Sequence, residues 1–286
     1  MPSLIDIRRR IRSVKNTQQI TRAMKMVSAA KLRRAQDRVI AARPYANLIG
    51  KMLANVAAAA ASDPEAGANP LVARRPEQKI LLVLLTSDKG LAGAFNSNLI
   101  RSAQNFVSEH SGATITMELI GRKGRDFFRK RRARISGDHI NLAAKPAYLE
   151  TAPIAQKAME MYRNAEIDAV YLLYNEFKSV VAQKVVLTRV LPVEVPERAA
   201  PVDYIFEQPP AAMLDSLLPR YVETQFFRAL LETAAAEHAA RMTAMDAATS
   251  NAEDMIEKLT LYMNRVRQAS ITKEIIEVVS GAAAAE

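Results

Sequence analysis

The sequence predicts a mixed α/β protein in which two long terminal helices pair antiparallel as a coiled coil and a compact α/β domain fills the middle of the chain. Three observations carry this. Apolar residues near the C-terminus recur alternately three and four apart, the first fifty-odd residues repeat that spacing, and between them short apolar strands alternate with helices of ten to fifteen residues.

At the C-terminal end the seam reads Met245, Ala248, Ala252, Met255, Leu259, Tyr262, Val266, Ala269. Upstream of it, AAAEHAARMTAMDAA is rich in alanine, which favours helix and lets a neighbouring helix come close. No Pro or Gly interrupts Tyr221 to Ser280, and at 1.5 Å per residue that stretch spans roughly 90 Å. A domain built from the rest of the middle is only about 35 Å across, so most of the helix is expected to project and to need a partner.

The N-terminus offers that partner. Leu4, Ile7, Ile11 and Val14 keep the spacing, Gln18, Thr21, Lys25 and Ser28 continue it with polar residues, and Leu32, Ala35, Val39 and Ala42 restore it. Ile20, Met24 and Val27 fall on another face, the pattern of a helix that touches a third body beside its seam. Pro44 is expected to kink the rod, after which Tyr45, Leu48, Met52 and Val56 resume the spacing as far as Asp63-Pro64. The organisation predicted is a stalk helix over 1–62, a linker over 63–78, an α/β domain over 79–210 and a second stalk helix over 211–286.

Composition bounds the function. At 286 residues, 49% hydrophobic and 24% charged, the chain has the balance of a globular protein, and no apolar run reaches the length of a membrane span. Cysteine is absent, so disulfide and thiolate chemistry are excluded, and the three histidines are scattered without metal-ligand spacing; no cofactor and no metal are expected. Residues 1–43 hold twelve Lys or Arg against two Asp, a balance of +10 that equals the formal charge of the whole chain. A basic helix suits nucleic acid, an anionic membrane surface or acidic protein loops. It shares the Arg-rich, acid-poor character of a transit peptide, but it runs straight into the apolar seam and belongs to the mature fold.

In the middle, SDPEAGANPLVARRP over 62–76 is a linker by its Pro and Gly content. Strands are predicted at Lys79 to Leu85, Thr114 to Ile120, more weakly Ala133 to Ile140, Asp168 to Phe177 and Val180 to Val193; helices at about Asn96 to Glu109, Gly121 to Arg131 and Ala152 to Ala165. The last two strands form an antiparallel hairpin at one edge. The loop from Asp88 to Asn96 invites a nucleotide reading, because Gly90, Gly93 and Ala94 precede a helix start. It lacks the phosphate-loop and dinucleotide glycine patterns, Lys89 precedes Gly90, and Asp88 repels an anion. The reading taken is a structural turn, with a partner-contact loop through Lys89 as the alternative. No paired-carboxylate or Ser-His-Asp arrangement stands out.

The run IRRRIRSVKNTQQITRAMKMVSAAKLRRAQ, the loop SDKGLAGAFNSN and the run ARMTAMDAATSNAEDMIEKLTLYMNRVRQASITKEIIEVVSGA closely resemble the gamma subunits of F-type ATP synthases, and the resemblance covers essentially the whole chain. It implies a Rossmann-like central domain and a central stalk that turns inside a ring of alpha and beta subunits, with its base on a proton-driven c ring. The signature starts within ten residues of Met1 and Cys is absent, which points to a bacterial form on the cytoplasmic face of the inner membrane. The resemblance further implies contacts to the catalytic beta subunits through Arg8, Arg9, Met24, Lys25, Lys89, Arg267, Gln268, Thr272 and Glu274. Tyr204, Phe206 and Glu207 resemble a foot that meets the c ring and the epsilon subunit. On the same resemblance Val278, Val279, Gly281, Ala282 and Ala283 are expected to form a bearing with little specific bonding, a frayed tail being the alternative. Val202 stands where many members carry Trp, and Pro219 either starts the second stalk helix or kinks it.

Three functions follow for testing: a non-catalytic rotor stalk, a coiled-coil scaffold binding nucleic acid through its basic helix, and a phosphate-handling enzyme built on the α/β domain. Binding by the scaffold would fall steeply with salt, and the enzyme would bind or hydrolyse nucleotide unaided.

Overall fold

The computed structural model describes residues 3–59, 69–194 and 208–283. Among them the elements run α1 (Leu4–Ala59), β1 (Lys79–Leu85), α2 (Phe95–Glu109), β2 (Thr114–Ile120), α3 (Arg122–Lys130), β3 (Ile135–His139), α4 (Tyr148–Arg163), β4 (Ala169–Phe177), β5 (Gln183–Leu191) and α5 (Pro210–Ala283). The chain makes two compact units, Ala29–Arg241 and Met1–Ser28 with Met242–Glu286.

In the larger unit the five strands lie in the order β3-β2-β1-β4-β5. All neighbours are parallel except β5, which returns antiparallel on β4 as the expected edge hairpin. β1 sits at the centre, and its run ILLVLL is buried on both faces, as a parallel strand covered by helices requires. Leu81, Val83 and Leu85 face one hydrophobic cluster with α4, with Leu53 and Val56 of α1, and with Leu214, Leu218, Val222 and Phe226 of α5. On the opposite face Tyr171, in register with Leu82, stacks on Phe106 of α2 at 5.1 Å, and Leu84 lies against Gly124 of α3. The sheet is thus a middle layer between α2 and α3 on one side and α4 with the long helices on the other.

A buried carboxylate ties the layers together. Glu118 of β2 accepts hydrogen bonds from His139 Nε2 at 2.7 Å and from Lys157 Nζ of α4 at 3.0 Å, with its side chain 2% exposed. Burial pushes its pKa up, but the bonds from His139 and Lys157 outweigh this and hold it below its ordinary 4.5. A carboxylate with a depressed folded value stabilises the fold above its unfolded pKa and loses that contribution as pH falls through the folded one. Urea unfolding at pH 7 and again below pH 4.5 should show a smaller acid loss of stability in Glu118→Gln than in the unaltered chain.

Helix α1 passes through Pro44, and in the larger unit its buried residues are Leu32, Val39, Ala46, Ile49, Leu53 and Val56. This corrects the expected seam: Tyr45, Leu48 and Met52 are exposed. The three-four spacing from Val39 and Ala42 runs on without restarting at the proline, which gives up one helical hydrogen bond while the α/β core holds the segment in place. α5 likewise starts at Pro210 and carries Pro219 inside it. Gly50 of α1 approaches Tyr221 of α5, and Arg43 approaches Glu232, so these segments pair antiparallel.

The smaller unit is also an antiparallel helix pair. The Thr21 and Thr249 hydroxyls are 2.8 Å apart and Lys25 meets Asp246. On α1 the expected seam of Leu4, Ile7, Ile11, Val14, Gln18, Thr21 and Ser28 is the least exposed face. On α5 half of it shifts by one residue. Met245, Ala252, Leu259 and Val266 face inward as expected, but Met255 and Tyr262 are exposed and Ile256 and Met263 take their places. Thr249 is chosen by its hydrogen bond to Thr21, which an apolar count does not weigh.

Candidate functional site: the basic helix face and the loop after β1

The loop after β1 is built from buried polar anchors. Thr86 and Ser87 are fully buried. Thr86 donates its N–H and Oγ1–H to the Ile120 carbonyl and accepts from Gly124 N. Gly121, at φ 95°, has no alternative: a Cβ there would lie 2.1 Å from the Thr86 carbonyl oxygen. Asn96 closes the loop by accepting from Ser87 N and donating to Ser87 Oγ.

Asp88 joins this loop to α3 and to the turn before α4. Its carboxylate accepts from the backbone N–H of Arg122, first residue of α3, at 3.0 Å and from Asn141 N at 3.0 Å. The start of α3 is therefore capped by the chain's own anion, whereas the start of α2, which the glycines of this loop precede, has Ala94 as its N-cap with no side-chain cap bond.

The loop is also fastened to α5. The Arg241 guanidinium reaches the carbonyls of Gly90 at 3.3 Å and Lys89 at 3.5 Å and pairs with Glu237 at 2.5 Å, the two side chains being 10% and 7% exposed. Burial pushes the Glu237 pKa up, and Arg241 only partly offsets it. Lys89 itself stays exposed, a cation at the tip of a loop with a rigid mount. Glu232 makes a second buried anchor, accepting from Arg43 Nη2 at 3.2 Å and Phe177 N at 3.1 Å.

In the smaller unit Arg8 and Arg9 are exposed on α1, and Met24 and Lys25 are partly covered. Lys25 is not a free cation: its ammonium lies 2.5 Å from Asp246, with both side chains substantially exposed. Such a pair contributes about 0–1 kcal/mol, so Lys25→Ala should change the urea midpoint little. Arg267, Gln268, Thr272 and Glu274 are all exposed; Thr272 donates to the Gln268 carbonyl and Glu274 accepts from Ser270 Oγ. With Thr21 opposite Thr249, Met24 lies opposite the stretch near residue 246, about 30 Å along the pair from Arg267. The structure does not gather these residues into one site. Beyond residue 270, α5 outruns the start of α1, and Ile271, Ile275, Ile276, Val278 and Val279 are exposed. Gly281, Ala282 and Ala283 continue the helix. Tyr204, Phe206 and Glu207 lie outside the described residues, as does Val202.

A family model described as ATP synthase matches residues 3–285. The ATP synthase gamma chain of Solibacter usitatus is 75% identical over 286 residues, covering all of both chains, and that of Anaeromyxobacter sp. strain Fw109-5 is 53% identical over 289 residues, covering 99% of each. The chain belongs to the ATP synthase gamma chain family. Among solved structures, the central stalk and c ring of Tetrahymena thermophila mitochondrial ATP synthase superimposes with a TM-score of 0.63 at 25% identity, covering 80% of this chain and 99% of that one. A chain of the Euglena gracilis mitochondrial enzyme shares the fold at a TM-score of 0.66 and 18% identity, covering 98% and 94%.

In the loop after β1 Gly93 takes a positive φ of 55°, and the Ser87 and Asn96 side chains bond one another. Sequence reasoning missed Arg241, Glu237, Asp246 and Glu232. A buried i,i+4 pair such as Glu237 and Arg241 reads in sequence like any surface pair on a helix, and only the expected burial of the alanine-rich stretch around it hints otherwise.

Proposed function

We propose that this chain is the central rotor stalk of a proton-translocating ATP synthase, coupling c-ring rotation to conformational change in the catalytic beta subunits while performing no chemistry itself. The observation that carries this is the 75% identity over the full length to a bacterial ATP synthase gamma chain. Partners on this reading are the alpha and beta subunits, the epsilon subunit and the c ring. No described helix is long and apolar enough to cross a membrane; association with the cytoplasmic face of a bacterial inner membrane comes through the complex.

The smaller unit supplies the shaft. Arg8, Arg9, Met24 and Lys25 form its basic side toward the beta subunits, Arg267, Gln268, Thr272 and Glu274 grip a catalytic-subunit loop at one angle, and the end of α5 from Val278 to Ala283 turns as a bearing. Lys89, mounted through Arg241, is a further beta contact, and Tyr204, Phe206 and Glu207 form the foot. The nucleic-acid scaffold finds no support in the family.

Purification of the tagged chain from its host tests the assignment. Alpha, beta and epsilon subunits should accompany it, and recovery of the chain with nucleic acid and none of these subunits would overturn it. Deleting residues 280–286 should leave assembly and most proton pumping intact, because the helix pairing upstream is untouched; loss of coupled synthesis with normal assembly would refute the bearing.

A further inference from the structure

A cleft of about 330 Å³ opens in the larger unit between α1, α5 and the turn before α4. Lys31, Arg34 and Arg38, three and four apart on α1, line one wall; Lys145 lines another, from the turn before α4; Leu231 and His238 of α5 lie at the back. Four cations converge with no carboxylate in the lining, and none of the four makes an ion pair among the described residues. The one acid on α5 beside His238, Glu237, is taken by Arg241.

His238 is the second observation. Its Nδ1 is buried and has no hydrogen-bond partner. A buried imidazole nitrogen without a partner costs stability, and here it belongs to a side chain that lines the cationic cleft. We propose that this cleft binds a phosphate-bearing anion, held by Lys31, Arg34, Arg38 and Lys145 and hydrogen-bonded by His238. Guanidinium groups suit phosphate because they donate in a fork that matches its oxygens, and a volume near 330 Å³ admits a diphosphate or a small nucleotide. The apolar back wall at Leu231 separates this from a solvated charged face. This site does not depend on the rotor reading.

The same groups set the response to protons. Burial first, then the positive charges of Arg241 and Lys31, push the His238 pKa down to about 4, so the empty cleft keeps the ring neutral at pH 7. Bound phosphate cancels that positive field and its oxygens accept from the ring, so the His238 pKa rises on binding.

With three histidines in the chain, histidine-labelled full-length protein gives a three-signal spectrum. Inorganic phosphate, pyrophosphate and ADP are titrated against potassium chloride at matched ionic strength. The expected result is a saturable shift of His238 alone, tighter for pyrophosphate and ADP than for phosphate, with its titration midpoint moving upward. ADP binding well above pyrophosphate identifies a nucleotide as the source, and equal binding identifies the phosphate groups. Arg34→Gln and, separately, Lys145→Gln, which lies outside any helix, should each weaken pyrophosphate binding about tenfold or more by equilibrium dialysis. Equal shifts of all three histidines, the same response to chloride, or unchanged affinity in both variants would overturn the site. So would a response to polyglutamate without one to pyrophosphate, which would assign the cleft to an acidic protein segment.

Discussion

Replacing Arg241 by alanine is expected to destabilise the chain by about 3–5 kcal/mol, the usual cost of stripping one partner from a buried ion pair. Glu237 would be left with its side chain 7% exposed and no counter-charge, while the carbonyls of Lys89 and Gly90 lose their guanidinium contacts. Burial already pushes the Glu237 pKa up with Arg241 present, and without Arg241 it rises further, because the charge that lowers it is gone. A group whose folded pKa is raised contributes stability below its unfolded value and loses it as pH rises through the folded one. The defect should therefore shrink in acid. Urea midpoints at pH 5 and pH 7.5 check the sign, and Glu237→Gln combined with Arg241→Gln should cost less than Arg241→Ala alone. In the assembled enzyme, Arg241→Ala also loosens the mount of Lys89, so proton pumping should fall further than ATP hydrolysis.

The second large effect is expected at Arg267. If Arg267 and Gln268 grip a catalytic-subunit loop, truncating one member of a desolvated interfacial pair costs roughly 2–5 kcal/mol, and Arg267→Ala should lower turnover tenfold or more without dissolving the complex. Met24, about 30 Å away along the helix pair, should respond differently. If Met24 faces acidic loops of the beta subunits, Met24→Lys adds an attraction that must break on every turn, so hydrolysis should persist while its coupling to pumping weakens. Exposed Arg12→Ala serves as the solvated control. ATP hydrolysis compared with ATP-driven pumping in membrane vesicles separates the three; if all behave like the unaltered protein, these positions are ordinary surface.

The layers of the larger unit were legible because each element carries its own period. KILLVLL reads as a strand buried on both faces, and it lies over Lys79–Leu85 as expected. The hairpin and the second strand also fall where predicted. The helix seams were legible in spacing and only partly in phase. Ala248 and Thr249 are both half-buried, and hydrophobicity alone misses Thr249 because its inward interaction is a hydroxyl contact to a residue 228 positions away. At Pro44 the expectation that the spacing restarts after a kink misplaced Tyr45, Leu48 and Met52, since tertiary packing carries the same apolar phase through the proline. The site was legible chiefly through resemblance. Asp88 reads as hostile to phosphate, and its role as the cap of α3 depends on Arg122, 34 positions away, coming into reach. Arg241 gave no sign of reaching a loop 151 residues earlier.

A central rotor stalk turns inside a ring of catalytic subunits as ATP is hydrolysed, and this chain should do so. With no cysteine in the sequence, Val181→Cys, 84% exposed at the β4–β5 turn, gives a unique point for attaching a bead to the larger unit while the alpha and beta subunits are fixed to a surface. The bead should rotate continuously in one direction, dependent on ATP. Hydrolysis by an assembly that retains the chain while the bead stays still would contradict it.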